Sequence, residues 1–202
     1  EKQTDKPQVG VFDNRTLMRE MIAADGRFEV HELMGLSQEY LANFDAIILQ
    51  NYNVAQKFDS PFVQTLRQYV ENGGGVMLAH DTAWFMDSPF PEVAERGIPK
   101  HNVEAERHVV DTQLKAVLEH PALAGLSVGT QFDTEFRDHM IFKPGAGGVT
   151  VIENLFGDPV YVLGEVGQGR AAFVGPYHGY RAQLSGPEKQ AFMGVVNWLA
   201  GE

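Results

Sequence analysis

The sequence predicts an α/β fold: an open, mostly parallel, flavodoxin-like sheet with helices on both faces and an antiparallel hairpin toward the carboxyl end. Two observations predict it. In the first half of the chain, short apolar segments alternate with amphipathic ones, which is typical of parallel strands covered on both faces. In the second half, two strand-like segments flank the turn "GQG" (167–169), which indicates an antiparallel hairpin.

The first half contains four predicted strands and three predicted helices. The strands are "QVGVF" (8–12), "FEVHEL" (28–33), "DAIILQ" (45–50) and "VMLAH" (76–80). The helices are "RTLMREMIAADG", which closes on Gly26, the short "SQEYLANF", and a segment with Ser60 as N-cap and Pro61 at its first position. Three glycines, "GGG" (73–75), separate that last helix from the fourth strand.

The second half is less regular. Residues 86–104 are rich in Pro, Glu and Gly and predict an irregular excursion. Further predicted strands are "RHVVDT" (107–112), "DHMIFK" (138–143), "GVTVIEN" (148–154), "PVYVLGEV" (159–166) and "RAAFVG" (170–175), with helices at "TQLKAVLEH" (112–120) and "GPEKQAFMGVVNWLA" (186–200). We interpret residues 1–202 as one domain, with 1–7 as a disordered leader.

Composition excludes several classes of function. The formal net charge of −11 argues against nucleic acid or an anionic membrane surface as the main partner. No apolar stretch approaches the roughly 18 residues needed to span a bilayer, so we expect a soluble protein without membrane insertion. The chain contains no cysteine, which excludes disulfides, thiolate metal sites and a cysteine nucleophile. The compartment stays open: cytoplasmic, or exported to the periplasm after removal of a signal peptide.

Polar side chains follow the predicted strands where those strands end. Ligands of open α/β sheets bind beyond the carboxyl ends of the strands, so these residues predict a substrate-binding cleft. Its predicted members are Asp13, Asn51, Tyr52, His80, Asp81, Tyr177 and His178, a set suited to a hydroxyl-rich small molecule. The aromatic residues Trp84, Phe85 and Tyr177 either stack on the ligand or belong to the core. Asp13 fits a helix cap equally well. Asp81 directly follows His80, and we expect the two side chains to diverge.

We predict a functional role for His80, because a histidine at the end of an apolar strand must find a polar partner or face a cavity. One hypothesis is a metal-free acid–base site in which Glu135 or Asp81 orients His80. The other is a divalent metal site assembled across the sheet. Its candidate ligands are His80, Glu135, His178, His108 and His139. No compact ligand motif supports the metal, so the cofactor stays unspecified.

Four stretches, in this order, resemble motifs of the trehalose-utilisation (ThuA-like) family. They are "YVENGGGVMLAHDTAWF" (69–85), "EHPALAGL" (119–126), "FDTEFRD" (132–138) and "GEVGQGRAAFVGPYHG" (164–179). The last helix, with Trp198, is similar to the family's final helix. The sequence departs from the family pattern at three positions. Thr134 stands in place of an acid, Gln168 in place of a lysine, and Tyr177 in place of a glycine.

The resemblance implies the fold of class I glutamine amidotransferases and a link to sugars. In those amidotransferases the strand after the glycine turn presents a cysteine at a strained elbow, whereas this chain offers His80. We therefore expect no cysteine-dependent glutaminase activity. We expect a protein that acts on or binds a carbohydrate or polyol, as a hydrolase or isomerase with His80, Glu135 and His178 as catalytic residues. The alternative is a non-enzymatic sugar-binding or assembly module. A third class is a subunit-contact domain inside a larger protein, and a homo-oligomer is compatible with each of these hypotheses.

Overall fold

A computed structural model describes residues 5–99, 113–136 and 138–202. Its strands are β1 (Gln8–Asp13), β2 (Glu29–Glu32), β3 (Ala46–Gln50), β4 (Gly75–Ala79), β5 (Ile98–Pro99), β6 (Gln113–Ala116), β7 (Gln131–Asp133), β8 (Met140–Ile141), β9 (Val149–Asn154), β10 (Pro159–Val166) and β11 (Gly169–Val174). Its α-helices are α1 (Met18–Asp25), α2 (Gln38–Leu41), α3 (Pro61–Glu71), α4 (Asp81–Phe85) and α5 (Gly186–Leu199). Within these ranges no helix has the length and apolar character needed to cross a bilayer.

Nine of the strands form one mixed sheet in the order β2-β1-β3-β4-β11-β10-β9-β6-β7. The first five in this order run parallel, and antiparallel pairing begins between β11 and β10. β5 and β8 form a separate antiparallel pair. The fold class predicted from the sequence is therefore confirmed, including the β10–β11 hairpin around the turn "GQG". The carboxyl ends of β1, β3, β4 and β11 meet at one edge, which we call the rim.

Each face of the sheet has its own apolar core. Ile48 and Met77 pack with α1 and α5 on one face, which we call the α1 face. Their neighbours Ile47 and Leu78 pack with α3 and α4 on the other. This follows from the alternation of side chains along a strand. Because both faces are covered, β3 and β4 are buried at every residue, which explains why they read as continuous apolar runs.

The predicted helix ends depend on local hydrogen bonds that the structure contains. The Ser60 hydroxyl accepts a hydrogen bond from the Val63 N–H at 3.3 Å, so Ser60 is the N-cap of α3. Gly26 has φ of 79° and its N–H donates to the Ala23 carbonyl, so it ends α1. Both caps were predicted from sequence and are confirmed.

The glycines Gly73, Gly74 and Gly75, which lead into β4, are required for three different reasons. Gly73 has φ of 110°, a conformation that side chains other than hydrogen rarely adopt. At Gly74, a Cβ atom would lie 2.2 Å from the Tyr69 ring. At Gly75, it would lie 2.2 Å from the backbone oxygen of Leu199 in α5. The triplet therefore lets the central strand start directly against both helical layers.

The segment "TQLKAVLEH" was predicted to be helical, and this is wrong: residues 113–116 form β6. Leu114 and Ala116 are buried while the residues between them are half-exposed, which is the period of a strand. β6 is held by pairing with β7 and β9, both distant in sequence, and this tertiary pairing overrides the helical propensity of the segment. β7 itself was not predicted. The predicted strand 138–143 is reduced to β8, and the predicted strand 107–112 lies outside the described residues.

We expect Gly75→Ala to lower the free energy of unfolding by about 2 kcal/mol or more, because the new methyl group meets rigid backbone. Gly35→Ala is the matched control, since its nearest neighbour would be Tyr40 Cδ1 at 3.9 Å. That variant should change stability by about 0.5 kcal/mol or less. Urea denaturation of both variants measures the difference, and equal stabilities would contradict the close contact between β4 and α5.

Candidate functional site

Backbone strain is concentrated at the rim. Among the described residues, the non-glycine positions with positive φ are Arg15 (63°), Asn51 (56°) and His80 (50°). They follow β1, β3 and β4, three adjacent parallel strands. Such conformations cost about 1–3 kcal/mol each and cluster at functional sites. His80, with ψ of −123°, forms a sharp turn between β4 and α4, the kind of strand-to-helix elbow on which some enzymes present a nucleophile.

The imidazole of His80 is only 3% exposed and lies between acidic side chains. Its Nδ1 is 3.2 Å from Asn51 Oδ1 and 3.2 Å from Asp81 Oδ1. Its Nε2 is 3.4 Å from Asp138 Oδ2. The expectation that the His80 and Asp81 side chains diverge was wrong, because the left-handed backbone at His80 brings them together. Both ring nitrogens face a carboxylate oxygen, which favours the doubly protonated imidazolium.

The pKa of His80 reflects two opposing influences. Burial acts to lower it, because desolvation disfavours the charged ring. The carboxylates of Asp138 and Asp81 act in the opposite direction and together prevail, so the pKa of His80 is raised above its ordinary value. His80 is therefore suited to act as a cationic hydrogen-bond donor or a general acid, and poorly suited to act as a general base.

An array of aromatic rings covers His80. Tyr177 stacks on the imidazole, with ring centroids 4.5 Å apart and planes at 18°. Tyr180 stacks on Tyr177 at 4.6 Å, and the edge of Phe136 meets both tyrosines. The guanidinium of Arg181 lies over Phe136 at 5.2 Å and over Tyr180 at 5.4 Å. The rim thus presents flat apolar faces beside carboxylates and an imidazolium.

Asparagines connect the ends of the strands beneath this array. Asn14 Nδ2 donates to the Asn51 carbonyl at 3.1 Å, and Asn51 Nδ2 donates to the Asn14 carbonyl at 3.4 Å. Burial raises the pKa of Tyr177, and the neighbouring Asn51 side chain acts in the opposite direction. Asn51, predicted to bind substrate, is thus hydrogen-bonded to Asn14 and to the His80 ring.

Three other predicted binding residues have structural partners. Asp13 accepts hydrogen bonds from the Thr16 hydroxyl and, at 2.9 Å, from the Arg19 N–H, so it caps the start of α1. Tyr52 stacks on Phe62 with centroids 4.6 Å apart. Trp84 packs against the neighbouring Phe85 ring, with centroids 4.8 Å apart, and borders the core beneath α3 and α4. These residues shape the rim.

His178 belongs to a separate, fully buried network. Its Nε2 is hydrogen-bonded to the Tyr161 hydroxyl, and its Nδ1 lies 3.0 Å from Glu188 Oε1. The second Glu188 oxygen accepts from the Glu135 N–H at 2.8 Å. No hydrogen bond or ion pair among the described residues joins His80 to Glu135 or His178. The predicted catalytic trio is therefore divided: His178 and the Glu135 backbone fix the loops that carry Tyr177, Phe136 and Asp138.

The metal candidates do not form a cluster in the described part of the chain. No group of three or more histidine, aspartate and glutamate residues there is arranged to hold a metal ion. His139 is fully buried, with Nε2 3.4 Å from Asn154 Nδ2, away from His80. His108 lies outside the described residues.

A groove of about 670 Å³ lies at the opposite edge of the sheet, beside the amino ends of β3 and β4. Its lining includes Tyr69, Asp45 and Arg170. The Tyr69 hydroxyl donates to the Phe44 carbonyl and the Asp45 carboxylate accepts from the Gln8 N–H. Arg170 donates to a carbonyl of α5. These three polar groups therefore already have partners within the chain.

Sequence reasoning missed three residues of the rim: Asp138, Phe136 and Tyr180. Asp138 was included in a predicted strand, and Phe136 lies in the stretch "FDTEFRD" without an assigned role. The signal that could have found them is the density of acidic and aromatic residues in that stretch and around Tyr177. A fourth residue that was missed is Gln50, which ends the apolar run of β3. Like His80 after β4, a polar side chain at this position must find a polar partner or face a cavity.

No protein-family model matches the sequence, and no curated protein matches it significantly. Solved structures share the fold. The mmIFT52 N-terminal domain has a TM-score of 0.71 at 14% identity, covering 96% of this chain and 97% of that one. A protein from Bacteroides uniformis described as ThuA-like has a TM-score of 0.59 at 13% identity, covering 98% and 94%. A β-galactosidase from Bacillus circulans sp. alkalophilus has a TM-score of 0.62 at 10% identity, and the match covers 97% of this chain and 31% of that one.

Identities this low show the fold alone. The likeness to a ThuA-like structure confirms the fold that the sequence resemblance implied.

We expect the raised pKa of His80 to appear in the pH dependence of stability. The imidazolium contributes stability that is complete below the unfolded pKa of about 6.5 and is lost as pH rises through the folded value. Wild-type stability relative to His80→Gln should therefore fall as pH rises from about 6 to 9. An NMR titration should give a His80 midpoint above about 6.5, lowered by Asp138→Asn. A midpoint below that value would contradict the assignment.

We expect His178→Ala to destabilise the fold by about 3–5 kcal/mol, because it leaves a buried carboxylate and a buried phenol without their shared partner. His31→Ala is the control: its ring is exposed and hydrogen-bonded only to the Gln8 side chain. It should change the free energy of unfolding by about 0.5 kcal/mol or less. Similar values for the two variants in urea denaturation would show that the His178 network is not structural.

Proposed function

We propose that this chain is a ThuA-like protein that binds a carbohydrate or related polyol at the rim, with His80 at the centre of the site. One observation carries the proposal. A buried histidine on a strained elbow is held between two part-exposed carboxylates and stacked on a tyrosine. The family assignment is supported by the four ordered sequence stretches and by the likeness to a ThuA-like structure.

The carboxylates supply the polar half of such a site. Asp81 and Asp138 are 21% and 36% exposed at their side chains, so both carboxylates are partly accessible from solvent. Carboxylate oxygens accept hydrogen bonds from sugar hydroxyls, and hydrogen bonds to charged groups are stronger than neutral ones. Since the imidazolium offsets part of their negative charge, the site suits a neutral, hydroxyl-rich ligand better than a cation.

The aromatic array supplies the apolar half. Tyr180 is 37% exposed, and Tyr177 and Phe136 are half-exposed. Flat rings beside hydrogen-bonding groups match a sugar, which has an apolar C–H face bordered by hydroxyls. The negatively charged chain and its carboxylates disfavour a phosphate or other anionic ligand at the same position.

Catalysis is the second candidate, favoured by the elbow itself. His80 occupies the position at which the resemblance places the amidotransferase cysteine, and no cysteine exists in the chain. Glutamine hydrolysis by a thiolate of this chain is therefore excluded. An imidazolium at this position could protonate a leaving or carbonyl oxygen of a sugar, as in a hydrolase or isomerase. Proton NMR of sugars incubated with the wild type and with His80→Gln would reveal such turnover.

Ligand binding is tested by calorimetry or saturation-transfer NMR with glucose, trehalose and sorbitol. We expect at least one to bind, with Tyr180→Leu weakening the affinity about tenfold by removing the exposed stacking ring at the end of the array. Asp138→Asn should weaken it further because it removes a charged acceptor and alters His80.

Asp59→Asn, an exposed carboxylate before α3, is the matched control and should bind like the wild type. If no sugar or polyol binds at millimolar concentration, the rim is not a carbohydrate site. The assembly-module alternative would then be favoured.

A further inference from the structure

Gln50 has a buried side-chain amide that is not part of the site described so far. Its side chain is fully buried at the carboxyl end of β3. Neither its Nε2 nor its Oε1 has a hydrogen-bond partner among the described residues. A side-chain amide can make up to four hydrogen bonds, and leaving a buried one unpaired destabilises the folded chain. Most buried polar side chains have partners, so an orphaned amide calls for a functional explanation.

The amide lies directly beneath the rim. In the register of the sheet, Gln50 is opposite Asp13 on β1 and Ala79 on β4. Gln50 and Ala79 immediately precede Asn51 and His80, the hydrogen-bonded pair at the centre of the site. The amide is therefore one residue layer below that pair.

The groups next to the amide leave it without a hydrogen bond. Ile48, two residues earlier on β3, packs on the α1 face, so Gln50 shares that face. Ala79, its neighbour on β4, contributes only a methyl group, and the carboxylate of Asp13 is occupied in capping α1. Above this face the chain segment after β11 meets α1, where the Leu17 N–H donates to the Gly179 carbonyl at 2.8 Å. The same segment carries Tyr177.

We infer that Gln50 is the polar floor of the site and binds a terminal hydroxymethyl group of the ligand. A hydroxyl is the complementary group for an amide, because it can accept from Nε2 and donate to Oε1 at the same time. A carboxylate could only accept and an ammonium could only donate. This inference rests on the proposed function and specifies which part of a polyol the chain recognises.

The first test uses the wild type with glucose, 6-deoxyglucose and xylose, which differ only in their hydroxymethyl group. A ligand that lacks the hydroxyl leaves the amide unpaired, so glucose should bind about tenfold or more tightly than 6-deoxyglucose or xylose. Equal affinities for the three sugars would overturn the inference while leaving the proposed sugar site intact. Absence of binding by all three, and by sorbitol, would overturn both.

The second test is Gln50→Met, which keeps the length of the side chain and removes its polar atoms. Because the amide is unpaired, the variant should unfold about 2–4 °C higher than the wild type without ligand. It should also lose its preference for glucose over 6-deoxyglucose. Gln64→Met, at an exposed glutamine that donates to the Phe58 carbonyl, is the control and should keep that preference. A lower unfolding temperature with the preference intact would make Gln50 a structural residue.

Discussion

The left-handed backbone at His80 is the constraint on which the rim depends. It ends the central strand β4, starts α4, and brings Asp81 back onto the ring of the residue before it. The conformation is unfavourable by itself and persists because the ring is held on all sides by Asn51, Asp138 and Tyr177. Removing any one of these partners weakens the geometry of the others, so the site acts as a unit.

A second, buried network supports this arrangement from below. His178 connects β10 to the start of α5 through Tyr161 and Glu188, and Glu188 holds the Glu135 backbone. The loops that leave this network deliver Tyr177, Phe136 and Asp138 to the rim. The two histidines thus have different roles: His178 holds loops in place, whereas the buried ring of His80 lies at the centre of the rim.

The features of the rim that suit ligand binding lower the stability of the folded chain. Strained backbone at three strand ends, a buried charged imidazole and an unpaired amide all cost free energy in the folded chain. The closely packed cores on both faces of the sheet compensate for these costs. Such an arrangement is typical of a binding site, where groups are held ready for a ligand rather than for each other.

The sequence by itself determined what depends on local physics. The apolar runs of β3 and β4, the Ser60 and Gly26 caps and the β10–β11 hairpin follow from periodicity and backbone preference. Tertiary structure decided which distant residues meet. Residues 113–116 became a strand because β9 and β7 pair with them, and Asp138 reached His80 because the His178 network directs its loop. Periodicity carries no information about such contacts, since they depend on how separate elements pack.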